Sequence, residues 1–322
     1  MRALLLLIAF SLAAMFCSSA QALKPEADYR AIPSDYGILY REVRIRTSDR
    51  LTLYGWFYPA QDTAGIAHKL VGRVAPVPDE LKSAPRPYQL IDGRPRPTIV
   101  ICPGDAGNMS QLILYAYHFC THGFNVLTFD WRGFGDSDPW KFEPDALVCT
   151  EFLEDLESAI DLARSRPETD RTRIGLFGFS TGAYLSFAMA AKRHDIRALV
   201  TRALLTSFDD LFRTLKKAYP ERQFRAPSDY PVYLLPVNAA PRVTTPTLLV
   251  VGKGDDRTPP WMSERVYSRL AGPKQIWVVK GAGHGGKDAP ELVRYPEFFK
   301  RVVSFFEAQL MDGSAATQAG KQ

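Results

Sequence analysis

Chemistry in this chain is most readily placed on one serine and one histidine, each set among glycines. Ser180 stands in Gly178-Phe179-Ser180-Thr181-Gly182. The apolar run Arg173–Phe179 precedes it, and a small-residue helical run follows (Ala183, Leu185, Ala188, Ala190, Ala191). A five-residue Gly-x-Ser-x-Gly match can arise by chance, so its setting carries the weight. A strand that turns abruptly into a helix lifts a serine out of the sheet on a strained turn, and flanking glycines let neighbouring backbone approach. A serine hydroxyl is a weak nucleophile until a base removes its proton. The sequence must therefore also supply an imidazole, an acid to orient it, and donors for a developing oxyanion.

The chain has five histidines. His68 lies in a proline-rich stretch, His118 and His122 on or at the end of a helical run, and His194 at the end of another; these four read as solvated or structural. His284 alone follows a strand, in the loop Gly281-Ala282-Gly283-His284-Gly285-Gly286, where an imidazole can swing over a cleft. Two carboxylates, Asp255 and Asp256, follow the strand ending at Gly252; either can orient a histidine. An aspartate there is also favoured as a cap for the helix beginning near Pro260. The loop Pro103-Gly104-Asp105-Ala106-Gly107-Asn108 is built of small residues, which free backbone N–H groups to face a cleft or simply make a turn. The glycine-containing loop Asp130–Ser137 reads as structural, with Arg132 available to a carboxylate.

These loops need a sheet to present them. Leu39–Arg46 and Leu51–Tyr58 alternate as two strands of a hairpin. Apolar strands at Thr98–Cys102, Phe124–Asp130, Arg173–Phe179, Ile196–Leu205, Thr247–Gly252 and Lys274–Val279 then alternate with amphipathic helices at Met109–His122, Ala146–Arg164, Ser180–Arg193, Phe208–Tyr219, Trp261–Leu270 and Tyr295–Met311. Strands apolar throughout, separated by helices, predict a mostly parallel sheet covered on both faces. Their C-terminal ends share one edge, where functional loops collect.

The remaining composition narrows the function. With 322 residues, 46% hydrophobic and 23% charged, the chain has a globular composition, and a net charge of +5 without basic–aromatic interleaving argues against nucleic-acid binding. Met1-Arg2, the apolar Ala3–Phe16 and Ala20-Gln21-Ala22 form a secretory signal pattern over residues 1–22, predicting export to the periplasm or medium with the mature chain starting near Leu23. Lipid attachment at Cys17 and an uncleaved anchor are minority readings. No later segment is apolar enough to cross a membrane, so stable insertion is not expected after cleavage. Residues 59–97 carry seven prolines and form an insertion expected to leave from the edge opposite the site. Residues 313–322 read as a disordered tail. Cys102, Cys120 and Cys149 are too few and too scattered for a disulfide framework, and no spacing suggests a metal or cofactor.

The order Ser180, Asp255, His284, each beyond a different strand, resembles the α/β-hydrolase superfamily from about Tyr36 to Met311. The hairpin ending in Gly55-Trp56-Phe57, the Gly104-x-Ala106-Gly107-Asn108 loop, Asp130-x-Arg132-Gly133-x-Gly135-x-Ser137, Gly252-x-x-Asp255 with Pro259, and Gly283-His284 are similar to small-lid serine hydrolases of the BEM46-like and dipeptidyl-peptidase-like kind. Such members usually have His before the oxyanion glycine; this chain has Pro103. The resemblance implies an α/β-hydrolase domain over residues 23–312 with an eight-stranded sheet and a short lid segment at 207–245. It implies that His284 deprotonates Ser180, that Asp255 rather than Asp256 orients His284, and that the amides of Asp105 and Thr181 hold the oxyanion. Aromatic and leucine residues in the lid, Tyr230, Tyr233 and Leu234 with Tyr219, Phe224 and Leu235, predict an apolar wall. The expected partner is a small-molecule acyl substrate of small or medium chain length. Peptidase, acyltransferase and non-catalytic binding roles remain alternatives on the same scaffold.

Overall fold

The computed structural model describes residues 22–62 and 93–311. Residues 1–21, within the expected signal pattern, most of the proline-rich insertion (63–92) and residues 312–322, which include the expected disordered tail, lie outside the described residues. Eight strands form one sheet: β1 (Arg41–Arg46), β2 (Thr52–Tyr58), β3 (Arg96–Cys102), β4 (Asn125–Phe129), β5 (Thr169–Phe179), β6 (Ile196–Arg202), β7 (Thr247–Gly252) and β8 (Lys274–Val279). Their spatial order is β8-β7-β6-β5-β3-β4-β2-β1. Both pairings of β2, with β1 and with β4, are antiparallel, whereas β3 to β8 pair in parallel. The chain therefore has the α/β-hydrolase fold that its sequence resembles.

Each inner strand is buried on both faces, and its side chains divide at a period of two. Val100, Leu127, Leu176, Leu199 and Leu249 face one core, with α2 (Phe152–Ser165) and α3 (Thr181–Lys192) packed over it. Ile99, Ile101, Val126, Phe177, Val200, Leu248 and Val250 face the other, under α1 (Ile113–Cys120) and α6 (Glu297–Leu310). Aromatic residues lock that second layer: Phe177 lies 4.8 Å from Tyr115 and 5.8 Å from Phe119, ring to ring. Helices α4 (Phe208–Ala218) and α5 (Pro260–Arg269) follow β6 and β7. Ser207 caps α4 by accepting from the Asp210 amide at 3.2 Å, which fixes where the chain leaves β6.

Most expected elements fall within a few residues of their observed bounds. Two differ. The expected helix Ala146–Arg164 begins only at Phe152, because Leu147 and Val148 run as a loop that walls a cavity. The helix expected over Met109–His122 opens with a 3-10 turn, Met109–Leu112, capped by the Asn108 side chain on the Ser110 amide. The described ends of the proline-rich insertion sit opposite the loops that follow β3, β5, β7 and β8: Tyr58 pairs with Val126 near the start of β4, and Arg96 starts β3. Among the described residues no helix is long and apolar enough to cross a membrane. Cys102, Cys120 and Cys149 are free and buried, and burial pushes the Cys102 thiol up to about 12.

Candidate active site

The turn after β5 is strained as the sequence predicts. Ser180 has φ 52° and ψ −108°, a conformation that a non-glycine residue holds only when its surroundings enforce it. The enforcement comes from packing. A Cβ on Gly182 would sit 2.1 Å from the Cys102 carbonyl oxygen, and one on Gly178 would sit 2.2 Å from that of Gly182. Only glycines let the helix start pack this closely against β3. The Ser180 amide donates to the Arg202 carbonyl at 2.9 Å, tying the turn to β6.

The loop after β3 is held from two sides, by the residues that follow β4 and by the N-terminal segment. Trp131 Nε1 donates to the Gly104 carbonyl at 3.1 Å, and the Met109 amide donates to buried Asp130 at 2.6 Å. A short N-terminal strand, Lys24–Pro25, pairs in parallel with Ala106–Gly107: the Lys24 amide donates to the Asp105 carbonyl at 2.9 Å and that of Glu26 to Gly107 at 3.0 Å. The Asn108 side chain then donates to the carbonyls of Glu26 and Asp28. Among the described residues the amides of Asp105 and Thr181 have no acceptor, which leaves two donors beside Ser180 for a developing anion. Burial raises the Asp130 carboxyl to about 7, against the pull of its bonds from Tyr29 and Met109.

Asp255 and His284 meet across the β7 and β8 loops. His284 Nδ1 lies 2.9 and 3.0 Å from the two Asp255 carboxylate oxygens. The Asp255 side chain is fully buried and that of His284 is 9% exposed, so the pair is shielded from water. Asp255 also accepts from the amides of Arg257 (3.0 Å) and Thr258 (2.8 Å) and from the Thr258 hydroxyl (3.0 Å). Burial alone would raise this carboxyl, but the bonds from His284 and Thr258 outweigh it and hold it below the usual carboxylate range. Asp256 is exposed and makes no such contact. Neither aspartate caps α5, whose N-cap is Pro259. The loops approach so closely that a Cβ on Gly252 would meet the Gly283 carbonyl at 2.3 Å, which accounts for the glycine that ends β7.

One residue without a sequence signal braces this arrangement. Arg202, at the end of β6, donates to the His284 carbonyl at 2.6 Å, pairs with Glu291 at 3.2 Å, and lies 3.6 Å over the Phe179 ring. The side chains of Arg202 and Glu291 are 4% and 9% exposed. A single buried cation thus touches the histidine loop, the residue before Ser180 and an acid beneath both. Among the described residues the remaining histidines are elsewhere; His118 is stacked on Phe299 at 3.8 Å, and burial lowers its imidazole to about 3.

Ser180, Thr181, Asp105 and His284 line one cavity of about 190 Å³. Its apolar wall comes from Leu147, Val148, Leu205, Leu211, Leu215, Tyr219 and Phe224. Tyr219 and Phe224 stand where the lid reading put an apolar wall. Tyr230, Tyr233 and Leu234 do not line it. Tyr230 is buried behind Tyr184 and Phe208, at 6.1 and 4.9 Å ring to ring, Leu234 is buried in the core, and Tyr233 is 61% exposed. For two of them the reason is local: residues 232–234 form a 3-10 turn that leaves Tyr233 exposed and turns Leu234 into the core. A second, more open cleft adjoins on the far side of His284, lined by Gln111, Asp256, Asp288 and the Gly283–Gly286 backbone.

Comparison with known proteins supplies the family. The prolyl oligopeptidase family profile matches residues 111–312, which contain Ser180, Asp255 and His284. The chain belongs to the prolyl oligopeptidase family. An uncharacterized protein of Mycobacterium tuberculosis is 27% identical over 264 residues, covering 81% of this chain and 78% of that one. Among solved structures, the Pyrococcus furiosus esterase Pf2001 superposes with a TM-score of 0.65 at 19% identity, covering 89% of this chain and 100% of that one. A puromycin-hydrolyzing peptidase of Mycobacterium tuberculosis superposes at 0.62 and 19%, covering 85% of this family member and 40% of the peptidase. The protein is thus an α/β-hydrolase, of a superfamily that holds both esterases and peptidases.

Proposed function

We propose that this family member is a serine hydrolase that cleaves carboxylic esters of small or medium acyl groups. The observation that carries the reading is the strained Ser180 turn, opening on a cavity shared with a histidine whose other nitrogen is held by a buried carboxylate. His284 takes the Ser180 proton as the hydroxyl oxygen attacks the acyl carbon. Asp255 fixes the imidazole tautomer and stabilises the imidazolium that forms. The carbonyl oxygen becomes an anion received by the amides of Asp105 and Thr181. His284 then returns the proton to the departing alcohol, leaving an acyl group on Ser180, and a water deprotonated by the same imidazole releases the acid.

The cavity volume supports the chain-length limit. At about 190 Å³ it is smaller than the ~300–1,000 Å³ of drug-sized sites, and one wall of it is apolar. Family membership favours a second reading, cleavage of a peptide or aminoacyl amide by the same residues. A series of p-nitrophenyl esters from acetate to palmitate, run beside aminoacyl p-nitroanilides, separates the two. The proposal expects a maximum at short or medium acyl chains and little anilide turnover. A maximum at palmitate refutes the size argument, and anilides turned over faster than every ester refute the esterase reading.

A further inference from the structure

The charges around Ser180 are unequally divided. The cavity that takes the acyl side carries three cations on its lining, Lys24, Arg222 and Arg257, against one carboxylate, Asp105. The cleft beyond His284 is the reverse, with Asp105, Asp256 and Asp288 against Arg257. Among the described residues neither Lys24 nor Arg257 is engaged in an ion pair, so both ammonium and guanidinium groups are available to a ligand. Arg222 is held on the apolar wall itself, its guanidinium 4.9 Å from the Phe224 ring centre. Cations set against an apolar wall act through a lower dielectric than cations on an open surface, and they focus their field into the cavity.

Lys24 reaches this position for a reason written in the backbone. Its strand is pinned to Ala106–Gly107, with Leu23 fully buried and the Lys24 amide on the Asp105 carbonyl at 2.9 Å. Arg257 is placed by its own amide, which donates to Asp255. Both cations therefore sit on backbone that also holds the reactive groups.

We propose that the acyl group this protein takes has an apolar body and an anionic terminus, a carboxylate or its equivalent, received by Lys24 and Arg257. This rests on the serine-hydrolase reading and names the substrate class within it. The same charge pattern disfavours substrates with a free amino group on the acyl side, because an ammonium would enter a cavity whose lining cations outnumber its carboxylate.

The test compares two esters of one alcohol and one acyl length: ethyl hexanoate and the monoethyl ester of adipic acid, at pH 7.5, with ethanol release as the readout. Wild-type protein is expected to show kcat/KM about 3- to 20-fold higher for the adipate, the range for two partly exposed charge contacts. That ratio should fall toward one in 0.5 M NaCl and in the Lys24→Gln/Arg257→Gln variant. Both substitutions keep the backbone bonds, and a far-ultraviolet spectrum and melting point check the fold. A neutral ester cleaved as well as or better than the anionic one overturns this proposal and leaves the esterase reading intact. A ratio unchanged in the double variant also overturns it. Cleavage of neither ester by folded protein defeats the esterase reading and this inference with it.

Discussion

Replacing Arg202 separates a structural from a catalytic-positioning role for the buried pair beneath His284. Arg202→Met removes the guanidinium from Glu291, from the His284 carbonyl and from the face of Phe179. Glu291 is then left as a nearly buried carboxylate without its cation. Breaking such a pair on one side costs about 3–5 kcal/mol. In a domain of this size each kcal/mol moves the melting point by roughly 2–4 °C, so a loss on the order of 10 °C is expected. The double variant Arg202→Met/Glu291→Leu replaces both charges with apolar groups of similar bulk and should recover most of that loss. Activity should not recover with it. The His284 carbonyl has still lost the Arg202 donor, and displacing a catalytic group by about 1 Å costs roughly 100-fold in rate. Scanning calorimetry and ester kcat/KM on wild type, both singles and the double decide the matter. A double variant that regains both melting point and kcat/KM refutes the positioning role and leaves the pair as core packing alone.

Asp255→Asn should lower kcat by about 10³- to 10⁴-fold by reversing the imidazole tautomer, whereas Asp256→Asn should leave it within twofold; steady-state kinetics on one ester compares them. The Asp255 carboxyl is held below its unfolded value of 3.8, so the stability it contributes is present above about pH 4 and is lost as pH falls further. Asp130 behaves oppositely. Its folded carboxyl is raised to about 7 from 3.8, so folded protein keeps a proton that the unfolded chain releases, and the associated stability falls as pH rises between those values. Asp130→Asn keeps an acceptor for the Met109 amide, so its melting point relative to wild type should climb from pH 5 to pH 8; a flat difference contradicts the argument. Gly182→Ala should abolish the Ser180 turn, since the added carbon meets the Cys102 carbonyl at 2.1 Å; more than 1–3 kcal/mol of stability should go with it, read by thermal melting.

Much of the site was legible because its signals are local. Apolar runs gave the strands, glycines flanking Ser180 marked a close approach, and one histidine stood alone after a strand. The acid was legible in part: the residues alone left two adjacent aspartates open, the resemblance favoured Asp255 through Gly252-x-x-Asp255 with Pro259, and burial and the bond to His284 single out Asp255 in the structure. Other features depend on contacts distant in sequence. Lys24–Pro25 lies some eighty residues from Ala106–Gly107, and nothing in either stretch announces the pairing. Arg202 reads as an ordinary charge at a strand end until Glu291, 89 residues later, is placed beneath it. The lid wall was placed only in part, at Tyr219 and Phe224, because composition does not reveal which side chains of an irregular segment face the cavity. Tyr230 and Leu234 turned inward to the core, while Leu147 and Val148, read as helix, became the wall.

The central claim is that Ser180 is the nucleophile. A fluorophosphonate reagent followed by intact-mass and peptide mapping tests it directly, because the reagent bonds covalently to a serine only where a base and oxyanion donors activate it. The structure predicts one adduct per chain, on the peptide containing Ser180, lost in Ser180→Ala and strongly slowed in His284→Ala. Folded protein that takes up no adduct, or an adduct that persists in Ser180→Ala, contradicts the account.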